Sequence, residues 1–217
     1  MHLFAVLALL ISVSNASKTL LRIAASANGN LSSSRMIMEE FTAALLAKDS
    51  WKIVDRDLNS PQIPHMTKEE AEAGRTPIAH QSDEQKQYFS LANELTNEVV
   101  YADHIVIATP MHNWGAPSAL KAWVDRVVNS RTFYTKDEHI TDTHVTFIVS
   151  SGGPYSILDS LKPYDHLRPW LSYVFQQIGA QEKNIRFINV DPTGRGVKEA
   201  YERARGMIEG AVNREEL

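Results

Sequence analysis

The chain has 217 residues, 43% hydrophobic and 22% charged, a composition ordinary for a globular protein and long enough to bury one α/β core. A formal net charge of −4 argues against a nucleic-acid footprint. The absence of cysteine excludes thiol catalysis, disulfides and Cys-ligated zinc or iron–sulfur sites, so any redox chemistry needs a bound cofactor.

Residues 3–13 form an apolar run followed by Ser14, Asn15 and Ala16. This pattern suits a secretory signal peptide and is short for a membrane span, although no Lys or Arg precedes it. An uncleaved anchor and a misassigned start codon are the alternatives. Residues 1–16 are therefore set apart as a leader, with one domain expected over 17–217.

Residues 19–25 read as the first strand, running into a loop from Ser26 to Ser34 rich in hydroxyls and turn formers. Met36, Ile37, Phe41, Ala44 and Leu45 then signal a helix. Such a loop at a helix N-terminus can bind phosphate, because free amides point outward, the helix dipole favours an anion and serine hydroxyls add donors. A plain Ser-rich N-cap is the alternative; the position after the first strand favours phosphate. No G-x-x-x-x-G-K-[ST] occurs, and Gly194-Arg195-Gly196 comes late and lacks a third glycine, so neither a Walker nor a Rossmann signature is supported. With no basic residue between Ser26 and Ser34, the loop suits a mononucleotide such as FMN.

Residues 51–55 read as an edge strand. Asp55 to Asn59 superficially resembles the start of a calcium loop, but Ser60 stands where glycine is needed and Met66 where the bidentate Glu belongs; no metal is expected. Residues 59–82 are expected to form a long polar loop walling a pocket. One amphipathic helix is expected over 83–101, through Tyr88, Leu91, Leu95 and Val99.

The central stretch begins with the apolar run Ile105 to Ala108, a strand buried on both faces. Pro110 cannot donate to a ladder and ends it. Pro117 is expected in the first turn of a helix whose apolar face is Leu120, Trp123, Val124, Val127 and Val128. Between them lie Met111, His112, Asn113, Trp114 and Gly115, at the carboxyl end of a parallel strand, where ligands bind in open α/β sheets. Asn113 offers a donor and an acceptor to a heteroaromatic edge, and Met111 and Trp114 offer polarisable surface to a ring. Read alone, this loop is as well explained by a simple βα turn.

After residues 131–135 and a charged excursion comes a fourth strand, 145–150, ending in Ser150, Ser151, Gly152 and Gly153. Paired glycines let the backbone approach a ligand edge; a plain turn is the alternative. A helix marked by Trp170, Leu171, Val174, Phe175 and Ile178, a strand at 185–190 and a helix at 197–212 complete the chain. Five strands alternating with helices predict a flavodoxin-like α/β three-layer sandwich, its parallel sheet in the order 2-1-3-4-5 with helices on both faces. The three loops would then flank one crevice.

From Lys18 onward the chain resembles the FMN-dependent NADH azoreductases, which also act as quinone reductases. Residues 25–35 look like that family's A-S-x-x-x-x-x-S-x-S-R phosphate loop, and 110–123 resemble its P-M-Y-N-F/W…P-x-x-L-K-x-W segment. Residues 131–135 resemble its R-T-F-x-Y region, and 150–153 its S-R-G-G loop. The resemblance implies that Ser26, Ser32, Ser33 and Ser34 bind the FMN phosphate and ribityl chain, that Pro110, Met111, His112, Asn113 and Trp114 face the isoalloxazine, and that Ser150, Ser151, Gly152 and Gly153 meet its pyrimidine edge. It further implies ping-pong two-electron reduction of quinones and azo compounds by NADH or NADPH, and a homodimer with Trp114 and Tyr134 as pocket walls. It also implies a cytoplasmic location, whereas residues 1–16 look like a secretory signal peptide, which leaves localisation open. No side chain is assigned a catalytic role, and His112 is a candidate proton donor. His112 replaces the family's usual Tyr and Ser151 its usual Arg, so substrate range can differ. The rival reading is a flavodoxin-like electron carrier or a flavin-binding protein without its own substrate. Carriers are usually strongly acidic, which −4 is not. No G-x-S-x-G or H-E-x-x-H supports hydrolysis.

Overall fold

Strands as apolar as 104–110 and 144–150 have no face to give to water, and they are stable only between two covering layers. The computed structural model, which describes residues 17–129 and 140–213, places them side by side in a parallel five-stranded sheet. Strands β1 (Lys18–Ala24), β2 (Trp51–Asp57), β3 (His104–Pro110), β4 (His144–Ser150) and β5 (Ile185–Val190) lie in the order β2-β1-β3-β4-β5, as the sequence predicts. Helices among the described residues are α1 (Ser33–Leu46), α2 (Lys68–Arg75), α3 (Asp83–Gln87), α4 (Ser90–Val100), α5 (Ser118–Val127), α6 (Leu167–Gln177) and α7 (Val197–Asn213). The leader 1–16, the segment 131–135 and Tyr134 lie outside the described residues.

Alternation along β3 divides the core in two. Ile105 and Ile107 join Leu21, Ile23 and Phe147 against Leu95 of α4, Trp123 of α5 and Phe175 of α6. Val106 and Ala108 join Leu20, Ile148 and Ile188 against Phe41 of α1 and Ile208 of α7. A register slip of one residue would exchange the two layers, so burial on both faces fixes the pairing. Trp123 stacks on Phe175 with ring centroids 6.5 Å apart, and Phe147 meets the same ring edge-on at 5.1 Å.

Three local expectations need correction. The polar stretch 59–82 contains helix α2, started by Thr67, whose hydroxyl accepts from the Glu70 amide while the Glu70 carboxylate accepts from the Thr67 amide. Arg126, 5% exposed, donates to both Glu70 oxygens and to the Pro64 and His65 carbonyls, tying this stretch to α5. The expected helix 83–101 is two helices, because residues 83–87 are polar on every side and helical bonding is interrupted at Tyr88–Phe89. Pro117 is the N-cap of α5, extended, one residue before the first turn.

His104 is fully buried in the layer of α1. Its Nε2 lies 2.9 Å from Thr146 Oγ1, and its ring is surrounded by Phe41, Trp51 and His144. Burial pushes its pKa down from 6.5 to about 3, and the positive charge of neighbouring His144 and Arg186 acts in the same direction. The unfolded chain therefore takes up a proton that the folded chain refuses, and stability is lost as pH falls from about 6.5 towards about 3. Urea unfolding across this window should show about 1.4 kcal/mol lost per pH unit from this group. In His104→Asn the pH slope should be shallower by about one proton; an unchanged slope would contradict the assignment.

Candidate active site

Parallel strands end on the same edge of a sheet, so the loops after β1, β3 and β4 emerge side by side. Two hydrogen bonds stitch them: the Ala25 amide donates to the Ala108 carbonyl at 2.9 Å, and the Met111 amide to the Ser150 carbonyl at 2.7 Å.

In the first loop, Ser32 caps α1. Its hydroxyl accepts from the Arg35 amide at 3.3 Å and lies 3.2 Å from the Ser34 hydroxyl; its carbonyl accepts from the Met36 amide. The first-turn amides of Ser33 and Ser34 have no intrahelical acceptor and form the positive end of the helix dipole. Ser26, Ser32 and Ser34 are buried. The Ser26 hydroxyl accepts from the Asn28 amide, so these side chains shape the loop from inside. Ser33 is half-buried, and its hydroxyl accepts from Tyr201 of α7 at 2.9 Å. Arg35 holds the loop from behind. It donates twice to the Ser26 carbonyl and bidentately to Asp57, both bonds 2.8 Å. Those bonds hold the Asp57 carboxyl below the usual carboxylate range, against the opposing cost of burial. The charge of Arg35 is thus answered within the protein.

In the second loop, the amides of His112 and Gly115 donate to each other's carbonyls at 3.0 and 2.9 Å. The two residues between are left-handed, Asn113 at φ 48° and Trp114 at φ 65°, a two-residue hairpin of the mirror-image type. Asn tolerates this conformation; for Trp it is strained. The hairpin, together with the His166 amide donating to the Trp114 carbonyl at 3.0 Å, keeps the indole at the rim, 53% exposed. Met111 is half-buried against the core; His112 and Asn113 are exposed.

In the third loop, Ser150 and Ser151 are buried, and Gly152 is exposed. Ser151 donates to the Gly153 carbonyl at 2.9 Å. Among the described residues, the amides of Gly152 and Gly153 have no protein acceptor. Amides that no protein acceptor occupies are free to donate to a ligand, so this turn is suited to an acceptor-rich ligand edge. The cradle fits FMN on the protein's own chemistry: amides at a helix N-terminus for a phosphate, a hairpin with an exposed aromatic for a ring, and paired glycine amides for a polar rim.

The structure brings all thirteen expected residues to one edge. Sequence reasoning gave no role to Arg35, the last residue of the S-x-S-R loop, and missed Tyr201, Asp191 and Arg168, which act behind the loops; the available signal was an acidic residue, Asp191, directly after the apolar strand 185–190.

Residues 18–209 match the model of the family described as having a flavodoxin-like fold. The chain is 32% identical over 206 residues to an FMN-dependent NADH:quinone oxidoreductase of Marinomonas sp., covering 89% of this chain and 99% of that protein. A second such oxidoreductase, of Cupriavidus pinatubonensis, is 35% identical over 149 residues, covering 66% and 71%. Among solved structures, an FMN-dependent NADH-azoreductase of Bacillus anthracis in complex with FMN superposes with a TM-score of 0.79 at 21% identity, covering 91% of this chain and 99% of that one.

Replacing the cap in Ser32→Ala removes the acceptor for the Arg35 amide and strands the buried Ser34 hydroxyl. The unfolding free energy in urea should fall by about 1–2 kcal/mol, and a loss below a few tenths would contradict the capping role.

Proposed function

The chain belongs to the flavodoxin-like fold family and to the FMN-dependent NADH:quinone oxidoreductases within it, and from that premise we propose that it carries two electrons from NADH to quinones and azo compounds through bound FMN. The observation that carries this reading is the edge just described, where loops after three adjacent strands leave the amides of Ser33, Ser34, Gly152 and Gly153 without a protein acceptor among the described residues.

FMN held there supplies hydride acceptance from reduced nicotinamide and two-electron donation to the acceptor. The protein's part is binding, orientation and charge. The Ser33 and Ser34 amides hold the phosphate together with the Ser33 hydroxyl, which the Tyr201 hydroxyl orients by donating to it; Ser26 and Ser32 keep that turn in shape. Pro110, Met111, His112, Asn113 and Trp114 form the surface on which the ring lies. Ser150 and Ser151 position the turn whose Gly152 and Gly153 amides donate to the pyrimidine edge, where preorganised dipoles stabilise negative charge without reorganising. His112 stands on the exposed hairpin, where its imidazole can give a proton to a departing product. NADH and the acceptor use the same face in turn, a ping-pong order.

In this proposal a second copy completes the pocket. Its support is the apolar surface at the rim: Leu31 is 89% exposed, Trp114 53% and Tyr164 57%.

The purified protein should take up about one FMN per chain and oxidise NADH only when a quinone or azo dye is present, with parallel double-reciprocal lines. Yellow protein without turnover would favour an electron carrier. A side chain at Gly153 would start 3.0 Å from the Tyr155 ring, crowding the turn without touching the core. Gly153→Val should weaken FMN binding about tenfold or more with the urea midpoint little changed; full flavin retention would refute the loop's role.

A further inference from the structure

β5 is the sheet's outer strand, yet its carboxyl end is bonded closely to the double-glycine turn. The Ser151 amide donates to the Val190 carbonyl at 3.3 Å, the Thr193 amide to the Ser151 carbonyl at 2.9 Å, and the Gly194 amide to the Gly152 carbonyl at 3.3 Å. The Thr193 hydroxyl adds a second bond to the Ser151 carbonyl at 3.1 Å. Pairing between β4 and β5 thus continues past both strand ends, into the turn itself.

Asp191 fastens the other side of the same turn. It is 1% exposed, and its carboxylate accepts from the Ser156 amide at 2.7 Å, from the Ser156 hydroxyl, and from the Ser151 hydroxyl at 3.4 Å. Arg168 stands 3.8 Å away, itself held by Asn189 and Asp165, and Arg203 donates to the Asp191 carbonyl at 2.6 Å. A buried carboxylate is costly unless its oxygens accept hydrogen bonds, and here all three donors belong to Ser151 and Ser156, so they fix residues 151–156.

At Gly194 the segment after β5 meets the backbone of the turn directly. A Cβ there would lie 3.0 Å from the Gly152 carbonyl oxygen, a backbone atom that could yield only by turning its peptide. That carbonyl and the Gly153 amide belong to one planar peptide unit, so displacing the oxygen rotates the N–H. The contact gives a role to the late glycine pair that fits no dinucleotide fingerprint.

We propose that residues 190–194 are a brace that sets the direction of the Gly152 and Gly153 amides, making Asp191 and Gly194 positioning residues for the charge on a flavin's pyrimidine edge. The proposal rests on the FMN reading above. Neither residue touches the ligand. Both act on how well the turn's dipoles meet the negative charge that reduction places there, so reduced flavin suffers more than oxidised flavin when the brace is disturbed.

The test is the midpoint potential of FMN bound to Gly194→Ala, measured by dye equilibration, with FMN affinity from fluorescence quenching and circular dichroism to establish folding. Affinity for oxidised FMN should change by no more than about threefold while reduced FMN binds about tenfold more weakly, which lowers the midpoint by about 30 mV for a two-electron couple. Asp191→Asn, which keeps the shape but alters the acceptors, should move the potential in the same direction and carries the test if Gly194→Ala does not fold. Gly206→Ala, on α7 with open space around it, should leave the potential unchanged. An unchanged midpoint in a folded, FMN-loaded Gly194→Ala overturns the brace alone, as does an equal weakening of both redox forms. Failure of the unaltered protein to bind FMN overturns the flavin reading and the brace together.

Discussion

Every backbone N–H and C=O that leaves a sheet must find another partner, and a parallel sheet releases them all on one edge at the carboxyl ends of its strands. Here that constraint organises the molecule. Burial of β1, β3 and β4 between two apolar layers fixes their order and register, which brings three loops together. The protein then satisfies part of what the edge exposes. Ser32 takes the Arg35 and Met36 amides, the Ser150 carbonyl takes the Met111 amide, and residues 190–194 take up the carbonyls of Ser151 and Gly152. The amides of Ser33, Ser34, Gly152 and Gly153 are left without a protein acceptor among the described residues.

The polarity of those remaining groups explains why the crevice suits an anionic, acceptor-rich ligand without a surplus of basic side chains. Arg35 is bound to Asp57 and Arg168 to Asp165, so both cations serve as internal struts. Attraction for a phosphate comes instead from the N-terminus of α1. Rigidity comes from strain as well as from bonds: a tryptophan at φ 65° persists only where its surroundings determine it, and the hairpin bonds with the His166 contact do so.

Much of this was legible in the residues. The doubly apolar run 105–108 marked a central strand, and Ser26–Ser34, Met111–Trp114 and Ser150–Gly153 were recognisable as turns at strand ends. What escaped notice had other physical origins. The Thr67/Glu70 capping box started a helix inside a stretch that read as loop because its composition is polar throughout, and Arg126 secures it through a contact 56 residues away in sequence. The first loop is legible as a hydroxyl-rich turn, but hydroxyl content alone does not show that Ser32 caps α1 or that Ser26 holds the Asn28 amide. Asp191 and Gly194 act across forty residues of sequence, and no local pattern announces such a partnership.

The central claim is that three loops on one sheet edge hold one flavin. Amide resonances followed while FMN is titrated into the apoprotein test it most directly. The account predicts that signals from residues 26–34, 111–115 and 150–153 move together along one binding isotherm, with those of the opposite sheet edge still. Perturbation confined to one loop, or loops answering with different affinities, would contradict it.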